Sequence, residues 1–342
     1  MKKKNGAIEL LRFAFCMAVL VHHVSLDVFG RNYEEQTWGG MFRYGALGVE
    51  FFFICSGFFM AKGVVNDTER SLNICQTWAF IWKKLKVLLP YHIIVNIMMM
   101  FAKIVFGNPT MDDLVGGLAS LFFLPTIGFN NHTWLLGAEW YVGYMIFAMI
   151  IIYPVLRKWP QFTVSYISPL VGIILFGYLD SKYGSVMETD RMIRAIGGIF
   201  LGIAAYGISE RINKVNVRKI RLFVSIYPFA VIVIFFIYMN SVLSRNTQPF
   251  MVIVLWSALI ITFSEKGFLS KRNILNNRFV YWLGKISLPV YIVQNFTREV
   301  VKKLLSDSKD WLIFSFEMMA TVVFGIGLYY TLIFINKRIH LW

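Results

Sequence analysis

The sequence predicts an all-α polytopic membrane protein with about ten transmembrane helices and both termini in the cytoplasm. Three observations carry this. Long apolar blocks recur from end to end, only 15% of residues are charged against 57% hydrophobic, and Lys and Arg crowd into alternate connecting segments. A soluble domain carries about 25% charged residues, whereas a membrane helix needs about 20 mostly apolar ones.

The first helix covers 7–29. It follows "MKKK" and so resembles a secretion signal. The length of its apolar run, the internal Arg12, His22 and His23, and the lack of a small-residue cleavage site make it a membrane helix instead. The second, 44–64, holds "GALGVEFFFICSGFFM", and the third, 87–107, follows the basic stretch of Lys83, Lys84 and Lys86. The stretch 113–129 is apolar but short, with Gly and Pro inside, which suits a re-entrant or interfacial segment. Further spans follow at 137–157, 163–180, 192–208, 222–240, 248–264, 279–300 and 312–336. Together they make one membrane-embedded domain over 1–342, with no internal repeat.

Orientation follows from the basic residues. With the N-terminus inside, most of the 34 Lys and Arg fall in cytoplasmic segments, densely so at 209–221, while the outer segment 108–136 has none. An eleventh span at 113–129 would turn 209–221 outward. The net charge of +15 is spread between apolar segments and not over one face of a soluble unit, which argues against nucleic acid as a partner. The cysteines Cys16, Cys55 and Cys75 are odd in number, so no disulfide framework is expected. There is no P-loop, dinucleotide fingerprint or Cys/His metal spacing. Ser56 has no adjacent base to make it a nucleophile.

The first helix poses the chemical question. Arg12 and His23 are 11 residues apart, which puts them within about 20° of one face and about 16 Å apart along the axis. His22 points roughly 80° away from Arg12. A guanidinium in a membrane helix costs about 2.5–3.5 kcal/mol, so such groups usually face a cavity or a partner. Glu50 enters the second helix from the outer side at a depth similar to His23, where a carboxylate can fix an imidazole tautomer. Gly57 shares the face of Glu50, leaving room beneath it or allowing close helix packing. Gln294 and Asn295 lie at similar depth in the ninth helix and suit substrate binding or interhelical bonds. Glu139 opens the fourth helix, where the dipole also favours a carboxylate.

The R-x10-H pair, "GALGVEFFFICSGFFM", the basic stretch before "LLPY" (88–91), "HTWLLGAEWYVGYMIFAMIIIYP" (132–154) and "LGKISLPVYIVQN" (283–295) together resemble the acyltransferase-3 family of membrane O-acyltransferases. The resemblance implies an acyl-CoA donor, usually acetyl-CoA, at the cytoplasmic side, and no metal. It implies a glycan or glycolipid acceptor in the envelope and residence in the bacterial cytoplasmic membrane. On that reading Arg12, helped by Lys83, Lys84 and Lys86, binds the CoA phosphates. His23, with Glu50 as its partner, acts as general base, and Glu139, Gln294 and Asn295 meet the acceptor. Three departures are visible. The pre-proline cluster is lysine where the family often has arginine. The "TWLLGAEWYVGYM" segment mixes two family variants, so either Trp134 and Glu139 or Trp140 and Tyr141 fill the equivalent positions. Gln294 stands where the family often has His, and no catalytic role is carried there. The alternatives are a small-molecule transporter or sensing module on the same scaffold, and a polysaccharide polymerase or ligase, which would show larger outer loops.

The charge bias makes a direct prediction. A cysteine placed at Asn216 should resist an impermeant thiol reagent in intact cells and react after permeabilisation. Strong labelling of intact cells overturns the topology.

Overall fold

The computed structural model describes residues 5–32, 37–38, 41–67, 74–107, 109–127, 137, 139–187, 190–216, 221–241, 243–264, 266, 275–306 and 308–339. Eleven long elements follow in order: α1 (Gly6–Phe29), α2 (Gly48–Val65), α3 (Ile74–Phe106), α4 (Met111–Leu121), α5 (Glu139–Lys158), α6 (Pro160–Tyr183), α7 (Arg191–Lys214), α8 (Arg221–Met239), α9 (Gln248–Phe263), α10 (Arg278–Leu304) and α11 (Asp310–Ile339). A short antiparallel ladder joins Arg31–Asn32 to Thr37–Trp38.

Among the described residues nine of these helices are long and apolar enough to cross a membrane, and α4 and α10 are not among them. The chain is an integral membrane protein. Helix α10 contains the expected segment 279–300 and has the length, at 27 residues. Arg278, Lys285, Arg298, Glu299, Lys302 and Lys303 keep it below the apolarity of the others. Exposed apolar side chains such as Ile97, Phe101, Ile151, Leu222, Ile237 and Val323 clothe the outward faces, as lipid-facing helices require.

Two boundaries differ from the sequence reading. Helix α3 begins at Ile74, well before the expected 87, so Lys83, Lys84 and Lys86 lie within a helix and not in a loop. No Gly or Pro interrupts 74–89, and Lys stems are good helix formers that carry their charge to water. The 113–129 segment becomes α4 plus a 3-10 turn at Leu124–Ile127. At 11 residues α4 is too short to cross a hydrocarbon core of about 30 Å. Its start is fixed by a capping box. Thr110 N–H and Oγ–H donate to Asp113 Oδ2, and the Asp113 N–H donates back to Thr110 Oγ1. Those Thr110 bonds hold the Asp113 carboxyl below its usual range. The cap is therefore intact at neutral pH and is lost only as pH falls through that lowered value.

The described residues form two compact units. The first gathers Met1–Val19, Phe42–Thr77 and Phe147–Lys285; the second gathers Leu20–Met41, Trp78–Ile146 and Ile286–Trp342. The first is organised by the crossing of α2 and α7. A Cβ at Gly57 would sit 2.0 Å from the Ile199 carbonyl oxygen, and one at Gly202 would sit 2.0 Å from that of Ile54. Small residues let the two backbones touch, so Gly57 serves close packing. Around this crossing Phe15 stacks on Phe51 at 4.6 Å and Phe58 on Phe263 at 4.1 Å. Trp256 donates to the Leu201 carbonyl at 2.7 Å, tying α9 to α7.

The second unit packs α3 against the α4 region through His92, whose Nε2 lies 2.9 Å from the Ser120 carbonyl and whose ring stacks on Phe123. Helices α10 and α11 form a hairpin fastened by Thr297 and Thr321 hydroxyls 2.6 Å apart. There the Val290 side chain and backbone would crowd any Cβ at Gly325.

The α2–α7 crossing yields a test. Gly57→Ala and Gly202→Ala each force backbone apart and should cost about 1–3 kcal/mol. Gly63→Ala, where a Cβ meets nothing within 4 Å, should be neutral or slightly stabilising. Melting of the detergent-solubilised protein, followed by size exclusion, separates the two classes. Equal melting for all three removes the crossing as a determinant.

Candidate active site

In the first unit Arg12 and Glu50 each stand in an ion pair. Arg12 Nη1 lies 3.3 Å from Glu9 Oε2, one helical turn away, and its side chain remains 34% exposed. Its guanidinium carbon sits 5.6 Å from the centre of the Phe59 ring. A Cβ at Gly284 would fall 2.1 Å from Glu9 Oε2, so the glycine of "LGKISLP" admits the Glu9 carboxylate. Arg12 thus keeps part of its fork open to an anion while Glu9 holds the other part.

The second pair corrects the sequence reading. Glu50 is fully buried and bonds Arg194, with Oε1 2.7 Å from Nη2 and 2.8 Å from Nε. Glu50 is thus partnered by Arg194, where the sequence reading expected His23. The cause is the glycine crossing. Gly198, one turn beyond Arg194 on α7, leaves space that a Cβ would fill against Phe53 and Glu50. Sequence reasoning gave Arg194, inside the expected span 192–208, no role. The signal was present in "RAIGGIFLG": an Arg followed one turn later by a G-x-x-x-G, the pattern that brings helices into contact.

In the second unit His23 Nδ1 lies 3.1 Å from Gln294 Oε1. An amide oxygen only accepts, so this contact places a proton on Nδ1 and the lone pair on Nε2. His23 is partly exposed, whereas its neighbour His22 is 3% exposed. The adjacent imidazoles therefore differ in access. One turn further along α1 and α10, Asp27 Oδ2 lies 3.1 Å from Arg298 Nε, and Asp27 Oδ1 lies 3.1 Å from Lys302 Nζ. Both steps are i to i+4, His23 to Asp27 and Gln294 to Arg298, so the rungs stack along the same two helix faces. The sequence reading left Asp27, Arg298 and Lys302 unassigned, although this double spacing was legible.

Asn295 is 5% exposed. A Cβ at Gly137 would be 2.9 Å from its amide nitrogen, so Gly137 comes close to α10. Tyr141 packs edge-on against Tyr291 at 5.7 Å. Of the two sequence alternatives, Trp140 and Tyr141 lie in α5; Trp134 and the side chain of Glu139 lie outside the described residues. Lys83 and Lys86 are exposed on α3, and Lys84 reaches over Phe80. A cavity of about 200 Å³ opens between Lys103, Phe106 and Asp113 on one side and Glu299 and Lys303 on the other. Among the described residues no three His, Cys, Asp or Glu side chains converge as a metal-ligand set.

Arg12, paired with Glu9, and His23, bonded to Gln294, are both residues of α1. The profile of an acyltransferase domain, that of the acyltransferase-3 family, matches residues 5–333. The chain belongs to the acyltransferase-3 family and is a membrane O-acyltransferase, moving an acyl group to a hydroxyl. No curated protein and no solved structure matches it.

The Glu50–Arg194 pair generates a stability test. Removing one partner of a buried pair leaves an uncompensated charge and costs about 3–5 kcal/mol. Arg194→Met alone should therefore collapse the yield of folded protein. The double variant Glu50→Gln with Arg194→Met should recover most of it. Additive losses in the double variant mean the two side chains do not act as a unit.

Proposed function

We propose that this enzyme transfers an acyl group, acetyl in the simplest case, from acyl-CoA to a hydroxyl of a cell-envelope or extracellular glycan. The donor approaches from the cytoplasm, and the enzyme resides in the bacterial cytoplasmic membrane. Arg12, near the cytoplasmic end of α1, takes CoA phosphate oxygens through charge-assisted hydrogen bonds, with Lys83, Lys84 and Lys86 adding positive charge at the start of α3. Glu139, Gln294 and Asn295 contribute to the acceptor side.

The observation that carries the reading is the His23–Gln294 hydrogen bond. With its proton held on Nδ1, His23 presents an unprotonated Nε2 as general base. It removes the acceptor hydroxyl proton as the oxygen attacks the thioester carbonyl. The new C–O bond forms, the C–S bond breaks, and the imidazolium returns its proton to the departing thiolate. Gln294 thus acts as a positioning residue, and an amide oxygen supplies the tautomer control expected of Glu50. Glu50 itself supports the scaffold through Arg194.

Two experiments test this. His23→Ala should lower acceptor acylation by about 10²–10⁴, whereas His22→Ala should retain substantial activity and show mainly reduced stability. Rates are normalised to membrane-inserted protein, and equal loss in both variants removes the assignment. Arg12→Ala should weaken acetyl-CoA binding at least tenfold, and Arg12→Lys should recover little because a point charge does not replace the fork. Wild-type donor affinity in Arg12→Ala places the CoA site elsewhere.

A further inference from the structure

Among the buried polar atoms of the second unit that lack a hydrogen-bond partner among the described residues are Nε2 of Gln294 and Oε2 of Glu317. Their residues are 3% and 1% exposed. An unsatisfied buried group forfeits its hydration with no return, so each one calls for an explanation such as a ligand. One atom is a donor and the other an acceptor.

The α10–α11 hairpin fixes their spacing. Thr297 meets Thr321 across the hairpin, and Thr321 Oγ1 donates to the Glu317 carbonyl at 2.7 Å. Glu317 therefore lies about 6 Å from that contact toward the hairpin turn, and Gln294 about 4.5 Å the other way. Between them stands the Asp27–Arg298 pair, with Lys302 on the same carboxylate. The result is a row about 10 Å long: amide donor beside His23, an ion pair, then a carboxylate acceptor.

The chemistry of the row selects its ligand. An anion is repelled by Asp27 and Glu317, and a cation by Arg298 and Lys302. An apolar group leaves both orphan atoms unmet. A hydroxyl both donates and accepts, so a neutral polyol satisfies the carboxylate at one end and the amide at the other. We propose that Gln294, Arg298 and Glu317 form the acceptor subsite, binding successive hydroxyls of a neutral saccharide and leading one of them to His23. This rests on the reading of His23 given above, and it adds Glu317 and Arg298 as acceptor-binding residues.

The test uses the full chain in nanodiscs free of glycoside detergent. Saturation-transfer NMR is recorded with methyl β-D-glucopyranoside, methyl β-D-galactopyranoside and methyl N-acetyl-β-D-glucosaminide as probes. Wild type should bind at least one of them. Glu317→Gln, which keeps the shape and loses the charge, should bind it at least tenfold more weakly with an unchanged melting temperature. Lys309→Ala, on the exposed hairpin turn, should bind like wild type. A purely structural Glu317 would lower the melting temperature and leave sugar affinity intact, which overturns the proposal. So does the absence of binding to wild type by all three probes, or wild-type affinity in Glu317→Gln. His23→Ala keeps the two readings apart. It should still bind the sugar, and if it also retains transfer the base assignment fails while the binding result is judged separately.

Discussion

Lipid offers no hydrogen bonds, so every polar group inside the membrane must find its match within the protein. The Glu50–Arg194 pair shows what that constraint demands here. Two charges are fully withdrawn from solvent, and their attraction offsets desolvation only at contact distance. Contact requires α2 and α7 to approach until their backbones touch, and Gly57, Gly198 and Gly202 permit this. The aromatic stacks of Phe15, Phe51, Phe58 and Phe263 then fill the wider spaces around the crossing. The glycines and the ion pair are one device, because neither is useful without the other.

The same constraint operates differently around His23. There the hydrogen-bond partner is a neutral amide. An amide oxygen orients the ring without raising its basicity as strongly as a carboxylate does. The neighbouring Asp27–Arg298–Lys302 cluster is largely compensated within itself. That charge stands one helical turn from the imidazole.

Much of this was legible in the sequence. Helix number and placement followed from apolar length, because hydropathy answers directly to the solvent in which the helix sits. Arg12 and His23 were legible because an ionisable group in an apolar run is conspicuous. Their partners were harder to see. Glu9 lies on the same helix one turn from Arg12, yet it reads as an ordinary residue of the first turn. Arg194 lies inside the expected span 192–208, but its partner stays hidden until the glycines that follow it are understood as a helix contact. Glu50 was matched to His23 by depth alone, and depth says nothing of which helix stands beside which face. The early start of α3 was hidden because its lysines resemble a loop, although a helix longer than the membrane can carry them beyond it.

Helix α1 runs unbroken from Gly6 to Phe29, and this makes the interval between Arg12 and His23 a ruler. Eleven residues are close to three whole turns. One residue added or removed between them would swing the histidine by about 100° without altering either side chain. Removing four would nearly restore the bearing but shorten the reach by about 6 Å. On the roles proposed for Arg12 and His23, this stretch should tolerate a change of side chain better than a change of length. A gap there should mark the loss of the enzyme more reliably than most substitutions.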